Sequence, residues 1–159
     1  MGRTSPLHIY APENYGSILS SHLSDFDIHL SFEIVFNPLK TGKPQSLYSD
    51  RHLSITSFPL KHRIPTFGFL FSEIKGERKM LKTAIEEYSI PISKIPALKN
   101  GADLELPDGT VVPNSKITAD PPPVVSYAYC SDTSYFKSLP AFIMDVTVLY
   151  HEATFDSGN

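Results

Sequence analysis

Leu53-Ser54-Ile55-Thr56-Ser57-Phe58-Pro59-Leu60-Lys61-His62-Arg63-Ile64-Pro65-Thr66-Phe67-Gly68-Phe69-Leu70-Phe71-Ser72-Glu73-Ile74 is the stretch around which the rest of the chain reads. Leu53, Ile55 and Ser57 alternate as the start of a strand. The end of that strand delivers Phe58, Pro59, Leu60, Lys61 and His62. Residues 66–74 then read as a second, phenylalanine-rich strand. A polar turn carrying a histidine thus sits between two apolar extended runs.

Working toward the C-terminus, residues 79–88 predict a helix with Leu81, Ile85 and Tyr88 on one face. Pro91 and Pro96 interrupt the segment after it. Residues 104–112 predict a hairpin around Pro107-Asp108-Gly109. Asp120 and Pro121–Pro123 read as a stiff link. Residues 124–130 predict a strand that ends in Ser131-Asp132-Thr133. Residues 146–150 predict a last strand that ends in His151-Glu152-Ala153-Thr154. Working toward the N-terminus, residues 28–35 alternate as Ile28, Leu30, Phe32 and Ile34, a half-buried strand. Asn37-Pro38 and Thr41-Gly42 mark turns. Before them, Ile18, Leu19, His22, Leu23 and Phe26 share one helical face that starts near Pro12 and Glu13, and residues 7–10 form a short strand. No internal repeat is visible. Strands and helices are mixed, so the fold class is α/β or α+β.

The bulk numbers narrow the function classes. A chain of 159 residues suits one domain, which buries roughly two-thirds of its unfolded surface. Hydrophobic residues make up 41% and there are 14 prolines, so the composition is globular but rich in turns. With 14 Lys+Arg against 17 Asp+Glu the net charge is −3. That speaks against a basic nucleic-acid coat, though not against a local basic element. The lone cysteine, Cys130, permits no intrachain disulfide. No apolar run reaches the ~18 residues of a spanning helix. A cytoplasmic location without membrane contact is the expectation.

His62, Asp132 and His151 share one property: each comes directly after a predicted strand. Sites in layered α/β folds gather beyond strand ends, so one shared site is expected. Each also has a structural reading. His62, between Lys61 and Arg63, suits a surface. Ser131-Asp132-Thr133 suits a helix N-cap, and Glu152 suits a first helical turn.

Taken together, these segments resemble the ribonuclease Z family of metallo-β-lactamase-fold hydrolases. Pro59-Leu60-Lys61-His62-Arg63-Ile64-Pro65-Thr66-Phe67-Gly68-Phe69 is similar to the family's third metal-binding motif. Tyr129-Cys130-Ser131-Asp132-Thr133 is similar to the next one. Tyr150-His151-Glu152-Ala153-Thr154-Phe155 matches the family's distinguishing motif. Arg3-Thr4-Ser5-Pro6-Leu7-His8-Ile9-Tyr10-Ala11-Pro12 resembles the segment after its main metal motif.

The resemblance implies the central part of an αββα sandwich, lacking strands from both ends. It implies a zinc-dependent endoribonuclease that cleaves precursor tRNA at its 3′ side, working as a homodimer with no DNA substrate. Two Zn2+ ions, or Mn2+ or Mg2+, would activate water and clamp phosphate oxygens. By the same resemblance His62 would bind one ion and Asp132 would bridge both. His151, oriented by Glu152, would protonate the leaving 3′ oxygen, as suits an imidazole of pKa about 6.5.

The resemblance further implies an inserted tRNA-binding arm at about 71–101, expected to be the most mobile or most protruding element, with Lys75, Arg78, Lys79, Lys82, Lys94 and Lys99 as its RNA-facing cations. The family's Gly-Pro turn is absent from this arm; Pro91, Pro96 and Lys99-Asn100-Gly101 stand there. The family's HxHxDH motif and last metal histidine are also absent from these 159 residues. The expectation is a chain inactive alone. The competing readings are an inert RNA-binding or dimerisation fragment, and another hydrolase of the same fold.

Overall fold

A computed structural model of the chain describes residues 2–153; Thr154 and Phe155 of the last motif lie outside the described residues. The described elements run in the order β1 (Leu7–Pro12), α1 (Tyr15–Asp25), β2 (Ile34–Leu39), β3 (Gln45–Ser49), β4 (Leu53–Leu60), β5 (Thr66–Glu73), β6 (Lys79–Met80) and α2 (Lys82–Glu87). A 3-10 turn (Ile92–Lys94) leads into α3 (Ile95–Lys99), β7 (Leu104–Glu105), β8 (Val111–Val112), α4 (Asn114–Ile117), β9 (Thr118–Ala119), β10 (Ser126–Cys130), α5 (Leu139–Ile143) and β11 (Val148–His151). The class is mixed α/β. Two compact units divide it: Met1–Glu73 with Val125–Asn159, and Ile74–Val124.

The larger unit is built on a five-stranded sheet in the order β11-β10-β5-β4-β3. Strands β3, β4, β5 and β10 pair antiparallel in turn, and β11 pairs parallel to β10. Strands β4, β10 and β11 therefore run in one direction, and their carboxyl ends share one edge of the sheet. The Phe58 ring crosses Gly68 on β5. A Cβ at Gly68 would lie 2.4 Å from that ring and 3.0 Å from the Tyr129 carbonyl oxygen. Phe58 stacks on Phe142 of α5 at 5.2 Å and joins buried Cys130 and Leu139 in the core. The glycine of the Phe67-Gly68-Phe69 run is thus the space that admits the core aromatic.

Two N-terminal expectations shift. The strand read at residues 28–35 begins only at Ile34 and runs on through the expected Asn37-Pro38 turn. Its parallel register with β1 pairs Leu7 with Ile34 and Ala11 with Pro38. Pro38 is tolerated because this two-stranded pair leaves an unpaired side. Ile28 and Leu30 stay exposed; their alternation had no partner strand to be satisfied by. The expected single apolar face of α1 also divides. Leu19 and Leu23 are half-buried, with Ile34 and Phe36 beside them, whereas Ile18 and Phe26 are exposed.

The Ile74–Val124 unit closes a core of its own. Ala84, Ile90, Leu98, Leu104, Val112 and Ile117 are buried together, with Met80, Leu81, Tyr88, Ile95 and Leu106 packed against them. The helix expected over 79–88 gives up its first turn, because Lys79 and Met80 pair with Ala119 and Thr118 and the Leu81 N–H bonds the Ile117 carbonyl at 2.9 Å. The hairpin around Pro107-Asp108-Gly109 is present as β7–β8, with Gly109 at φ 84°. This compact unit extends beyond residue 101, since Leu104, Val112 and Ile117 supply half of its buried core.

Candidate functional site

The three strands that share a direction each end in a polar loop at the same side of the sheet. His62 lies two residues beyond β4, Asp132 two beyond β10, and His151 is the last residue of β11. Antiparallel pairing of β4 and β10 on either side of β5, with β11 parallel to β10, brings all three to one sheet edge.

The loops are tied to each other directly. The Lys61 N–H donates to Thr133 Oγ1 at 3.1 Å, and the Ser134 N–H donates to the Lys61 carbonyl at 2.8 Å. The Ser134 hydroxyl donates to the same carbonyl at 3.1 Å. The Glu152 N–H donates to the Cys130 carbonyl at 3.2 Å, and Cys130 stands opposite His151 in the ladder. So the residue before His62 is held to the residues after Asp132, and the residue after His151 is held to the strand that leads into Asp132. Thr133 and Ser134 escaped the sequence reading: nothing in a Ser-Asp-Thr-Ser run announces a partner some seventy positions upstream.

His62, Asp132 and His151 are exposed. The His151 ring is oriented through Nδ1, which contacts the Glu152 main-chain carbonyl. A carbonyl only accepts, so this contact is a hydrogen bond when Nδ1 carries the proton. Tyr150 beside it stacks on Tyr129 at 5.0 Å, an aromatic brace across β10 and β11.

Cys130 is fully buried, and burial pushes its thiol up from the ordinary value. It serves the core and is not available as a donor. Among the described residues no three His, Cys, Asp or Glu side chains group closely enough to hold a metal ion. A catalytic zinc takes three protein ligands, so these described residues alone do not fit one.

The six cations expected to face RNA, all in the Ile74–Val124 unit, divide in two. Arg78 pairs with Asp120 and donates from Nε to Thr118 Oγ1 at 2.7 Å. Lys99 pairs with Glu77 at 3.5 Å, and Lys94 donates to the Glu105 carbonyl at 2.9 Å. The side chains of Lys75, Lys79 and Lys82 have no hydrogen bond or ion pair among the described residues.

The arrangement defines a mixed α/β protein whose polar, histidine-bearing loops gather at the carboxyl edge of one sheet. No family model matches the chain. Among curated proteins it is 42% identical to the ribonuclease Z of Phocaeicola vulgatus over 155 residues, which is 98% of this chain and 50% of that protein. It is 37% identical to the ribonuclease Z of Bacteroides thetaiotaomicron, over 98% of this chain and 49% of that one. The ribonuclease Z of Cytophaga hutchinsonii matches at 30%, again over 155 residues. The chain spans about half the length of the curated relatives it matches. It is homologous to a section of ribonuclease Z, in keeping with the central section that its motifs resemble. No described helix is long and apolar enough to cross a membrane.

Proposed function

We propose that these residues form the central part of a tRNA 3′-processing endoribonuclease of the metallo-β-lactamase fold, contributing one edge of its phosphodiester-cleaving site. The observation that carries this reading is the gathering of the His62, Asp132 and His151 loops at one sheet edge, with hydrogen bonds joining them. In this reading the five-stranded sheet is one layer of the αββα sandwich, with α5 on its outer face. The substrate is precursor tRNA, the protein works in the cytoplasm as a homodimer, and DNA is not cleaved.

His151 is the residue whose own geometry does chemistry. With Nδ1 held by the Glu152 carbonyl, the ring in its doubly protonated, imidazolium form would deliver the Nε2 proton to the leaving 3′ oxygen and keep the Nδ1 proton. Such a positioned acid contributes roughly 10²–10⁴-fold to rate. His62 and Asp132 would be two donors to a pair of zinc, manganese or magnesium ions, which when bound would supply water activation and charge stabilisation. The donor set in the described residues is partial, so the 159-residue chain alone should neither bind two ions stoichiometrically nor cleave. Ile74–Val124 would be the tRNA-binding element, and its unpartnered cations Lys75, Lys79 and Lys82 would contact phosphate.

The test is a graft. Residues 1–159 replace the matching stretch of the Phocaeicola vulgatus ribonuclease Z, and precursor tRNA cleavage is monitored. The expected result is accurate 3′ cleavage that falls about 10²–10⁴-fold in His151→Ala. A folded, metal-loaded graft without cleavage, or one indifferent to His151→Ala, overturns the reading. Reversing Lys75, Lys79 and Lys82 to glutamate in the same protein should weaken tRNA binding and flatten its salt dependence.

A further inference from the structure

We infer that Arg78 and Asp120 form a clamp joining the two segments by which the chain enters and leaves the Ile74–Val124 unit, so that Arg78 is a positioning residue and not a phosphate contact. Sequence alone groups Arg78 with Lys75, Lys79 and Lys82 as one basic run. The structure separates it from them. Its side chain is only 25% exposed and meets Asp120, which is 72% exposed, on the segment that leaves the unit.

The contact does not end at the ion pair. Arg78 Nε donates to Thr118 Oγ1, and that hydroxyl is buried. Its own proton is directed to Asn114, whose main-chain oxygen lies at 2.9 Å and whose Oδ1 lies at 2.7 Å. Asn114 Nδ2 then donates to the carbonyls of Leu98 at 2.7 Å and Ala102 at 2.6 Å, at the end of α3. The Asn114 N–H donates to Asp103 Oδ1 at 2.7 Å. A polar chain thus runs from the incoming segment, through the outgoing one, to the turn that ends α3. Beside it, Lys79 and Met80 pair with Ala119 and Thr118.

Buried polar groups of this kind stabilise only when every member is satisfied. Removing Arg78 would leave the Thr118 hydroxyl without its donor. A guanidinium engaged in this way has exchanged its freedom to meet phosphate for a fixed place in the fold.

The inference deepens the tRNA-binding reading, and the two can be separated by experiment. Amide hydrogen exchange on the full 159-residue chain reads the clamp without RNA. Asp120→Asn should speed exchange at Leu81 and at the Lys79–Ala119 ladder about three- to tenfold. Asp120→Glu should restore protection. Arg78→Lys, which keeps the charge but not the forked geometry, should lose protection like Asp120→Asn.

Binding of an unmodified tRNA transcript with a 3′ trailer then gives a test of sign. If Arg78 touches phosphate, Asp120→Asn frees a cation and tightens binding; with a clamp, it does not. Unchanged exchange in Asp120→Asn and Arg78→Lys, or tighter tRNA binding by Asp120→Asn, overturns the inference. Should no variant nor the parent bind the transcript, the tRNA-binding reading of the unit fails, while the exchange data still decide the clamp.

Discussion

The two units of this chain satisfy their apolar residues differently. Within Ile74–Val124, six buried residues from α2, α3, α4, β7, β8 and the turn before the 3-10 segment close on one another. The larger unit buries the Phe58, Cys130 and Leu139 cluster under α5. It leaves Val148, Leu149 and Tyr150 of β11, Tyr129 of β10, and Ile18 and Phe26 of α1 exposed, and the smaller unit likewise leaves Ile92 and Val111. The difference teaches that local closure and size are separate matters. Short turns bring the small unit's residues together over a few tens of positions, whereas the sheet recruits strands far apart in sequence. A sheet has two faces to cover and an edge at each side, and α5 covers only part of one face.

The strongest way to break this comparison is at Phe58. Phe58→Ala empties the space over Gly68 and removes the stacking on Phe142; a loss of about 3–5 kcal/mol is expected, read by denaturant unfolding. Exchange should rise across β4, β5 and β10 while the Leu81 and Ala102 amides keep their protection. A uniform rise would show that the two cores unfold as one. Ile117→Ala is the mirror experiment, with about 2–5 kcal/mol expected and the opposite pattern of protection. Next comes Asn114→Ala. It leaves the Ala102 carbonyl without its amide donor and takes one partner each from the Leu98 carbonyl, which keeps the Gly101 N–H, and the Thr118 hydroxyl, which keeps the Asn114 main-chain carbonyl; about 1–3 kcal/mol should be lost. No loss there would mean that water replaces the amide, and that the small unit depends on apolar closure alone.

The smallest effect concerns the β3–β4 turn. The Asp50 carboxylate accepts from the His52 N–H, the Leu53 N–H and the Tyr48 hydroxyl, in that order of influence, and these hold it below the usual carboxylate range. The same contact raises the Tyr48 phenol. A depressed carboxyl stabilises the folded state above its unfolded value of about 3.9, and that contribution is lost as pH falls through the lower folded value. Local amide protection at His52 and Leu53 should therefore decline only on strong acidification, and Asp50→Ala should remove this pH dependence. An unaltered pH profile in Asp50→Ala would place the acid sensitivity elsewhere.

Much of the edge that carries His62, Asp132 and His151 was legible beforehand, because a strand with a polar residue just beyond it writes its carboxyl end into the sequence. The β4 and β5 strands and the Pro107-Asp108-Gly109 hairpin were legible for the same reason: each is a local pattern. What the alternation could not supply was a partner. Residues 28–33 alternate as convincingly as residues 53–57, but only the second run found strands to pair with. Likewise Lys75, Arg78, Lys79 and Lys82 are equivalent as charges along the chain. They part company only when Thr118 and Asp120, some forty positions on, fold against one of them.

Composition and local pattern thus determined by themselves that this is a mixed α/β chain with polar motifs at the ends of three strands. Local sequence encodes periodicity, turn chemistry and charge, and these need no neighbours. Tertiary structure alone decided that the three strand ends share one edge, that Nδ1 of His151 faces a carbonyl, and that Arg78 is held within the fold while Lys75, Lys79 and Lys82 are not. Those outcomes depend on which distant backbone groups compete for each hydrogen bond, and that competition exists only once the chain has closed on itself.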